Sequence, residues 1–221
     1  MDGGSTADEM FFGRQSELRT IMNLGGACVV YGGRQLGKTA LLERVESLCA
    51  KPEEKKYAVY VSIHSKSAEG EIAAVLTEAI EKKTEKQLRL GNCATLKELC
   101  DKLAVLYRRG GFVTMYLLID EVDAFLAAIA EEKYMTLQPL NDLRRETKNN
   151  FKFVIAGTHN VCRAQNATAE NGIFGQLGTP LCIKPLSPMD ALKLLSRPLS
   201  YLGFRIGKAH LETILTNTNY Y

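Results

Sequence analysis

The sequence lacks several features that would assign it to a particular class of protein. No stretch reaches the roughly 20 apolar residues that span a membrane, and the N-terminus lacks the basic and apolar segments of a secretory signal. The six cysteines include no C-x-x-C pair, and several fall within apolar runs. These absences disfavour a membrane protein and a disulfide scaffold, and they favour a cytoplasmic protein with reduced thiols.

The chain also has little excess charge of either sign. Lysine and arginine number 28 against 25 acidic residues, for a net charge of +3. This net charge is too small to indicate nucleic acid binding. DNA is therefore a possible partner that the charge does not indicate. The 221 residues, 46% of them hydrophobic, suffice for one substantial domain.

What the sequence does contain is a phosphate-binding pattern. The motif G-x-x-x-x-G-K-[ST] is matched by Gly32, Gly33, Arg34, Gln35, Leu36, Gly37, Lys38 and Thr39. An apolar strand pattern precedes this loop, and a helical pattern starting at Ala40 follows it. Backbone N–H groups in such a loop, together with the helix dipole, bind phosphates. We therefore predict that the loop and Ala40 bind a nucleoside triphosphate.

Apolar strands alternate with helical patterns along most of the chain. Predicted strands cover 27–31, 57–63, 113–119, 151–156 and 181–183, and predicted helices cover 15–22, 72–83, 95–109, 188–200 and 208–217. This alternation predicts an α/β fold in which helices cover both faces of a parallel sheet, as in the three-layer sandwich of the P-loop NTPases. We expect an irregular loop at 164–178.

The patterns divide the chain into three parts. Residues 1–10 are expected to be a flexible leader, residues 11–185 the phosphate-loop core, and residues 186–221 a partial helical lid. The lid is expected to start at Ser187 and Pro188, where a hydroxyl cap is followed by a proline at the first helical position.

Four residues are candidates for metal binding and catalysis. Lys38 is expected to reach the terminal phosphates, and the Thr39 hydroxyl to bind Mg²⁺. Asp120 ends the most apolar strand, at the sheet edge where α/β proteins bind ligands, and is the expected second metal ligand. Glu121 could activate the attacking water, or could simply favour a helix dipole. Asp123 is interpreted as a helix-starting acid.

Polar residues after the fourth strand could contact the terminal phosphate or the attacking water. We favour Asn160, then Thr158, against the alternative of a turn without a ligand contact. Arg144, Arg145 and Arg163 are candidates for an arginine supplied to a neighbouring subunit's nucleotide, and the sequence does not separate them.

Taken in order, four segments resemble the AAA+/STAND ATPases, especially the bacterial and archaeal branch akin to origin-initiator ATPases. They are 12–18, 32–39, 117–121 and 157–160. The resemblance implies a five-stranded sheet in which the fourth strand separates the phosphate-loop strand from the Asp-Glu strand. It also assigns Phe12, Gly13 and Arg14 to the adenine side, and Pro188 to a lid over the adenine.

Together these features predict a slow, Mg²⁺-dependent ATPase that acts as a switch module of a larger multidomain protein, signal-transducing or assembly-regulating. ATP is favoured over GTP by the resemblance and by the absence of an N-K-x-D segment. The expected partners are ATP and ADP, together with further copies or attached effector domains. A DNA-associated initiator or loader ATPase and a P-loop kinase are the alternatives, and the Asp120-Glu121 pair disfavours the kinase.

Overall fold

The protein is built around a five-stranded parallel sheet. The computed structural model describes residues 11–23, 25–26, 28–168 and 172–218, so the predicted leader at 1–10 lies outside the described residues. The strands are β1 Val29–Gly32, β2 Lys56–Ser62, β3 Thr114–Asp120, β4 Phe151–Gly157 and β5 Leu181–Ile183. Their order is β2-β3-β4-β1-β5, and each neighbouring pair is parallel. The predicted fold class is confirmed, including the position of β4 between β1 and β3.

Helices connect these strands and cover both faces of the sheet. They are α1 Gln15–Met22, α2 Lys38–Cys49, α3 Glu69–Lys83, α4 Leu96–Arg108, α5 Asp123–Ala128, α6 Gln138–Glu146, α7 His159–Thr168, α8 Pro188–Tyr201 and α9 Lys208–Asn217. Helix α4 is capped by Thr95, whose hydroxyl oxygen accepts a hydrogen bond from the Glu98 N–H. None of the described helices is both long and apolar enough to cross a membrane.

Side chains of the central strands alternate between two apolar cores. Leu117 and Phe153 point to the face covered by α3 to α7, whereas Leu118 and Val154 point to the face covered by α1 and α2. Both faces are buried, so these strands are apolar at nearly every position. This explains why their positions could be predicted well.

The prediction of an irregular loop at 164–178 is wrong in part. Helix α7 continues to Thr168, and a short 3₁₀ turn at Ile173–Gln176 buries Ile173 and Phe174. Residues 169–171 lie outside the described part. Among the side chains of α7 that the structure describes, those of Val161 and Ala164 are buried, which gives a short helical pattern in the sequence.

Lys152 is a fully buried cation in the middle of β4. Its ammonium donates to the carbonyl oxygens of Ile21, at 2.7 Å, and Asn23, at 2.6 Å, where α1 ends. Burial lowers the pKa of Lys152 to about 8. The two carbonyl partners offset part of the desolvation cost and attach α1 to the sheet.

Candidate functional site

A cavity of about 500 Å³ opens at the carboxyl ends of the parallel strands. Its walls come from the loop after β1 and from the ends of β2, β3 and β4: Arg34, Gln35, Lys38, Thr39, His64, Ser65, Asp120, Glu121, Asp123, Ala124, Gly157 and Thr158. The carboxyl ends of parallel strands share one edge of a sheet, which is where α/β proteins bind ligands. The predicted phosphate loop and the Asp120-Glu121 pair therefore meet in one cavity.

The loop after β1 turns sharply before α2. Gln35 and Gly37 adopt the left-handed conformation, with φ of 62° and 81°. A Cβ at Gly32 would lie 2.6 Å from the Ile183 carbonyl oxygen of β5, so this position has no room for a side chain. The 12-residue helix α2 begins at Lys38, directly beside the cavity. Its free N–H groups and positive dipole end suit an anion.

Lys38 lies within this loop and is almost fully buried. Its ammonium donates to the carbonyl oxygens of Gly32, at 3.0 Å, and Gly33, at 2.7 Å. Burial lowers the pKa of Lys38, and the nearby Asp120 carboxylate opposes this effect. The loop thus holds a cation next to the cavity.

Thr39 and Asp120 bring two oxygen donors together at the cavity wall. The Thr39 hydroxyl donates to Asp120 Oδ2 at 2.6 Å, and the Tyr60 hydroxyl lies 3.3 Å from the same oxygen. The Glu121 N–H donates to Asp120 Oδ1 at 2.8 Å. Burial raises the pKa of the Asp120 carboxyl, against the hydrogen bond from Thr39. A hydroxyl beside a carboxylate is a donor set that fits Mg²⁺.

Glu121 is held by residues at the end of the neighbouring strand. Its Oε2 accepts a hydrogen bond from the Ser62 hydroxyl at 2.6 Å, and its Oε1 lies 3.4 Å from His64 Nδ1. Glu121 follows β3 with a left-handed φ of 57°, so strand alternation alone does not decide its direction. Ser62 lies opposite Asp120 in the parallel register. The sequence places Ser62 near the end of the predicted strand 57–63, but its position opposite Asp120 follows only from the register of the folded sheet.

Asp123 connects two helices at the cavity. It is the first residue of α5, as predicted, but its carboxylate accepts the N–H groups of Thr158, at 2.7 Å, and Asn160, at 2.9 Å. It therefore caps helix α7, which follows β4. The Asn160 amide donates to the Asp123 carbonyl oxygen at 2.9 Å, whereas Thr158 lies on the cavity wall. This geometry favours Thr158 over Asn160 for a ligand contact, and the role of Asn160 stays a prediction.

Replacing Asp123 by alanine should leave two N–H groups at the start of α7 without an acceptor. We expect the free energy of unfolding to fall by about 1–2 kcal/mol, the usual cost of losing a helix cap. Urea denaturation measures this loss. The matched control is Glu131→Ala, which removes an exposed acid three residues after α5 ends at Ala128. Equal stability changes in the two variants would contradict the capping role.

Arg14 has a structural role that the resemblance did not predict. Its guanidinium is buried, donates to the carbonyl oxygens of Leu36, at 3.3 Å, and Lys184, at 2.6 Å, and pairs with Glu17 at 2.9 Å. Arg14 does not line the cavity. It joins the phosphate loop to the chain that leaves β5, and its assignment to the adenine side stays a prediction.

Phe12 and Gly13 contact helix α8. The Arg197 guanidinium carbon lies 5.6 Å from the centre of the Phe12 ring, and a Cβ at Gly13 would lie 2.5 Å from Asp190 Oδ2. These residues line a hollow of their own, apart from the phosphate loop. Pro188 is the first residue of α8, as the capping pattern predicts. The adenine role of Phe12, Gly13 and Pro188 stays a prediction.

The remaining site candidates divide into loop backbone and remote arginines. Gly32, Gly33, Leu36, Gly37 and Ala40 do not line the cavity, although Gly32 and Gly33 accept from Lys38 and Leu36 accepts from Arg14. Arg144 donates to the Gln176 carbonyl oxygen at 2.6 Å and lies 3.4 Å from Cys28 Sγ, just before β1 and so at the opposite sheet edge. Arg145 and Arg163 are exposed.

Comparison with solved structures shows the same fold in several longer proteins. The chain matches the Walker-type ATPase of Pyrococcus abyssi with a TM-score of 0.68 and 15% identity, over 98% of this chain and 66% of that one. The match to the ADP form of the Aeropyrum pernix ORC2 protein has a TM-score of 0.61 and 19% identity, and it covers 90% of this chain and 55% of that one. The match to Drosophila ORC bound to DNA has a TM-score of 0.58 and 12% identity, and it covers 85% of this chain and 46% of that one. The chain thus spans from about half to two thirds of these proteins' lengths.

Family membership rests on the sequence itself. No curated protein shows significant sequence similarity to the chain. The family model described as AAA domain matches residues 21–164, which include the phosphate loop, the Asp120-Glu121 pair and the end of β4. The predicted resemblance to the AAA+ P-loop ATPases is therefore confirmed at the level of the family. The chain belongs to the AAA domain family.

Proposed function

We propose that the cavity binds Mg²⁺–ATP and that the protein hydrolyses it slowly. The observation that carries this proposal is the 2.6 Å hydrogen bond from Thr39 to Asp120, which joins the phosphate loop to the end of β3 at the cavity wall. Glu121 lies on the same wall, where a carboxylate can serve as a base.

Each residue of the site has a distinct task in this reaction. The loop backbone and Lys38 hold the phosphates, and Thr39 and Asp120 would hold the metal, which neutralises phosphate charge when bound. Glu121, oriented by Ser62, accepts a proton from the attacking water. The water oxygen bonds to the γ-phosphorus as the bond to the bridging oxygen breaks, which leaves ADP and inorganic phosphate.

The wider role that we propose is that of a nucleotide-controlled switch within a larger cytoplasmic assembly. Residues 11–185 would be the core and residues 186–221 part of a lid. Helix α8 and the residues that follow it expose several large apolar side chains, Met189, Tyr201, Leu202 and Phe204. Such side chains suit contact with an attached effector domain or another copy of the chain. The full length of the similar ATPases, well beyond this chain, supports the same view.

The test is calorimetry with Mg²⁺–ATP and Mg²⁺–ADP, combined with release of inorganic phosphate by the same protein. We expect saturable binding of both nucleotides, weaker binding when EDTA removes the metal, and phosphate release over minutes to hours. A protein that takes up neither nucleotide would refute the proposal. Binding without phosphate release at any protein concentration would remove the hydrolysis part.

DNA association is a second candidate role, favoured only by the structural similarity to an origin recognition complex bound to DNA. A net charge of +3 adds no support. DNA affinity that depends on salt and changes with ATP would favour this role. Indifference to DNA in the presence of ATP would exclude it for this chain.

A further inference from the structure

Arg34 places a second cation on the wall of the cavity. It is the third residue of the phosphate loop, is exposed, and lines the cavity together with Glu121 and Thr158. Lys38 is held by two carbonyl oxygens of the loop. Within the described part of the chain, the Arg34 guanidinium makes no hydrogen bond or ion pair. Its five donors are therefore available to a ligand.

The charged side chains around the cavity indicate a role for Arg34 in binding phosphate. The wall carries the acidic side chains of Asp120, Glu121 and Asp123 and the basic side chains of Lys38, Arg34 and His64. Burial is the main cause of the lowered pKa of Lys38, and Arg34 adds to it, so the guanidinium lies within electrostatic range of the ammonium. A triphosphate bound along the loop brings further negative charge to this place. Both cations would then act on the same phosphates.

Other arginines are less well placed in the same chain. Arg144, a sequence candidate for action on a neighbouring nucleotide, is bound to Gln176 at the opposite edge of the sheet. Arg145 and Arg163 are exposed on α6 and α7 and do not line the cavity. In the described residues, the arginine that does line it is Arg34.

We propose that Arg34 contacts the γ-phosphate of the nucleotide bound to its own chain and stabilises the charge that develops during hydrolysis. This rests on the proposed ATPase function. A guanidinium that contacts the transferring phosphoryl group stabilises its transition-state charge and greatly raises the rate of phosphoryl transfer. Because the arginine belongs to the same chain, the specific activity should not depend on protein concentration.

The test compares Arg34→Ala and Arg34→Lys with Arg19→Ala, which removes an exposed arginine of α1 away from the cavity. Single-turnover phosphate release should fall by ~10²-fold in Arg34→Ala, recover in part in Arg34→Lys, and stay unchanged in Arg19→Ala. Calorimetry supplies a readout without turnover. Aluminium fluoride, which mimics the transferring phosphoryl group, should tighten ADP binding in the wild type and not in Arg34→Ala. Affinity for ADP alone should be similar in both.

Two results would overturn the proposal while leaving the ATPase function intact. One is a turnover rate of Arg34→Ala within about threefold of the wild-type rate, which corresponds to a change in activation free energy of less than ~1 kcal/mol. The other is activity that rises with protein concentration and is lost in Arg163→Ala, which would place the arginine on a neighbouring chain. A wild type that neither binds nor hydrolyses ATP would instead refute the proposed function itself.

Discussion

Replacing Lys38 by alanine is expected to weaken Mg²⁺–ATP binding by ~100-fold or more, which corresponds to ~2.7 kcal/mol. The ammonium lies among the loop carbonyls of Gly32 and Gly33, at the place where the terminal phosphates would bind. A charge-assisted hydrogen bond between lysine and phosphate is worth about 1.5–3 kcal/mol. Isothermal titration calorimetry measures the loss directly.

The control for this variant is Lys97→Ala, which removes an exposed lysine of α4 that does not line the cavity. It should bind ATP like the wild type. Melting temperatures of both variants without nucleotide show whether the chain still folds. Folded Lys38→Ala that binds ATP with wild-type affinity would show that the loop does not hold the phosphates.

Replacing Glu121 by glutamine should separate binding from hydrolysis. Glutamine keeps the shape of the side chain and an oxygen that can accept from Ser62, but it is a far poorer proton acceptor. We expect ATP affinity within about threefold of the wild type, a change of less than ~1 kcal/mol. Single-turnover phosphate release should be slower by 10²–10⁴-fold, the usual contribution of a general base.

Glu71→Gln is the matched control, because it makes the same chemical change at an exposed position in the first turn of α3. It should hydrolyse ATP at the wild-type rate. Wild-type turnover by Glu121→Gln would exclude Glu121 as the base. Loss of ATP binding by Glu121→Gln would show that the carboxylate supports the site itself.

Two predictions about the placement of the candidate site residues depended on local sequence patterns and on one topological rule. The loop from Gly32 to Thr39 is a continuous motif, and Asp120 ends a strand that is buried on both faces. Parallel strands present their carboxyl ends at one edge, so the motif and the acid had to converge. The position of β4 between them came from the family resemblance.

The contacts that were missed join residues far apart in the sequence. The carboxylate of Asp123 caps a helix that begins 36 residues later, at His159. Arg14 reaches Lys184, 170 residues away, and Lys152 reaches the end of α1 across the buried face of the sheet. A single chain carries no periodic signal for such pairs. They follow only from the packed positions of the elements.

The two oxygen donors of Thr39 and Asp120 lie 81 residues apart along the chain. In an unfolded chain these two oxygens are far apart on average, so the unfolded chain has no comparable binding site for a metal-bound nucleotide. By mass action, nucleotide at 100 times its dissociation constant would then raise the free energy of unfolding by ~2.7 kcal/mol. A high ATP concentration in the cell would thus stabilise the folded state. Depletion of ATP would raise the unfolded fraction and expose the chain to proteolysis.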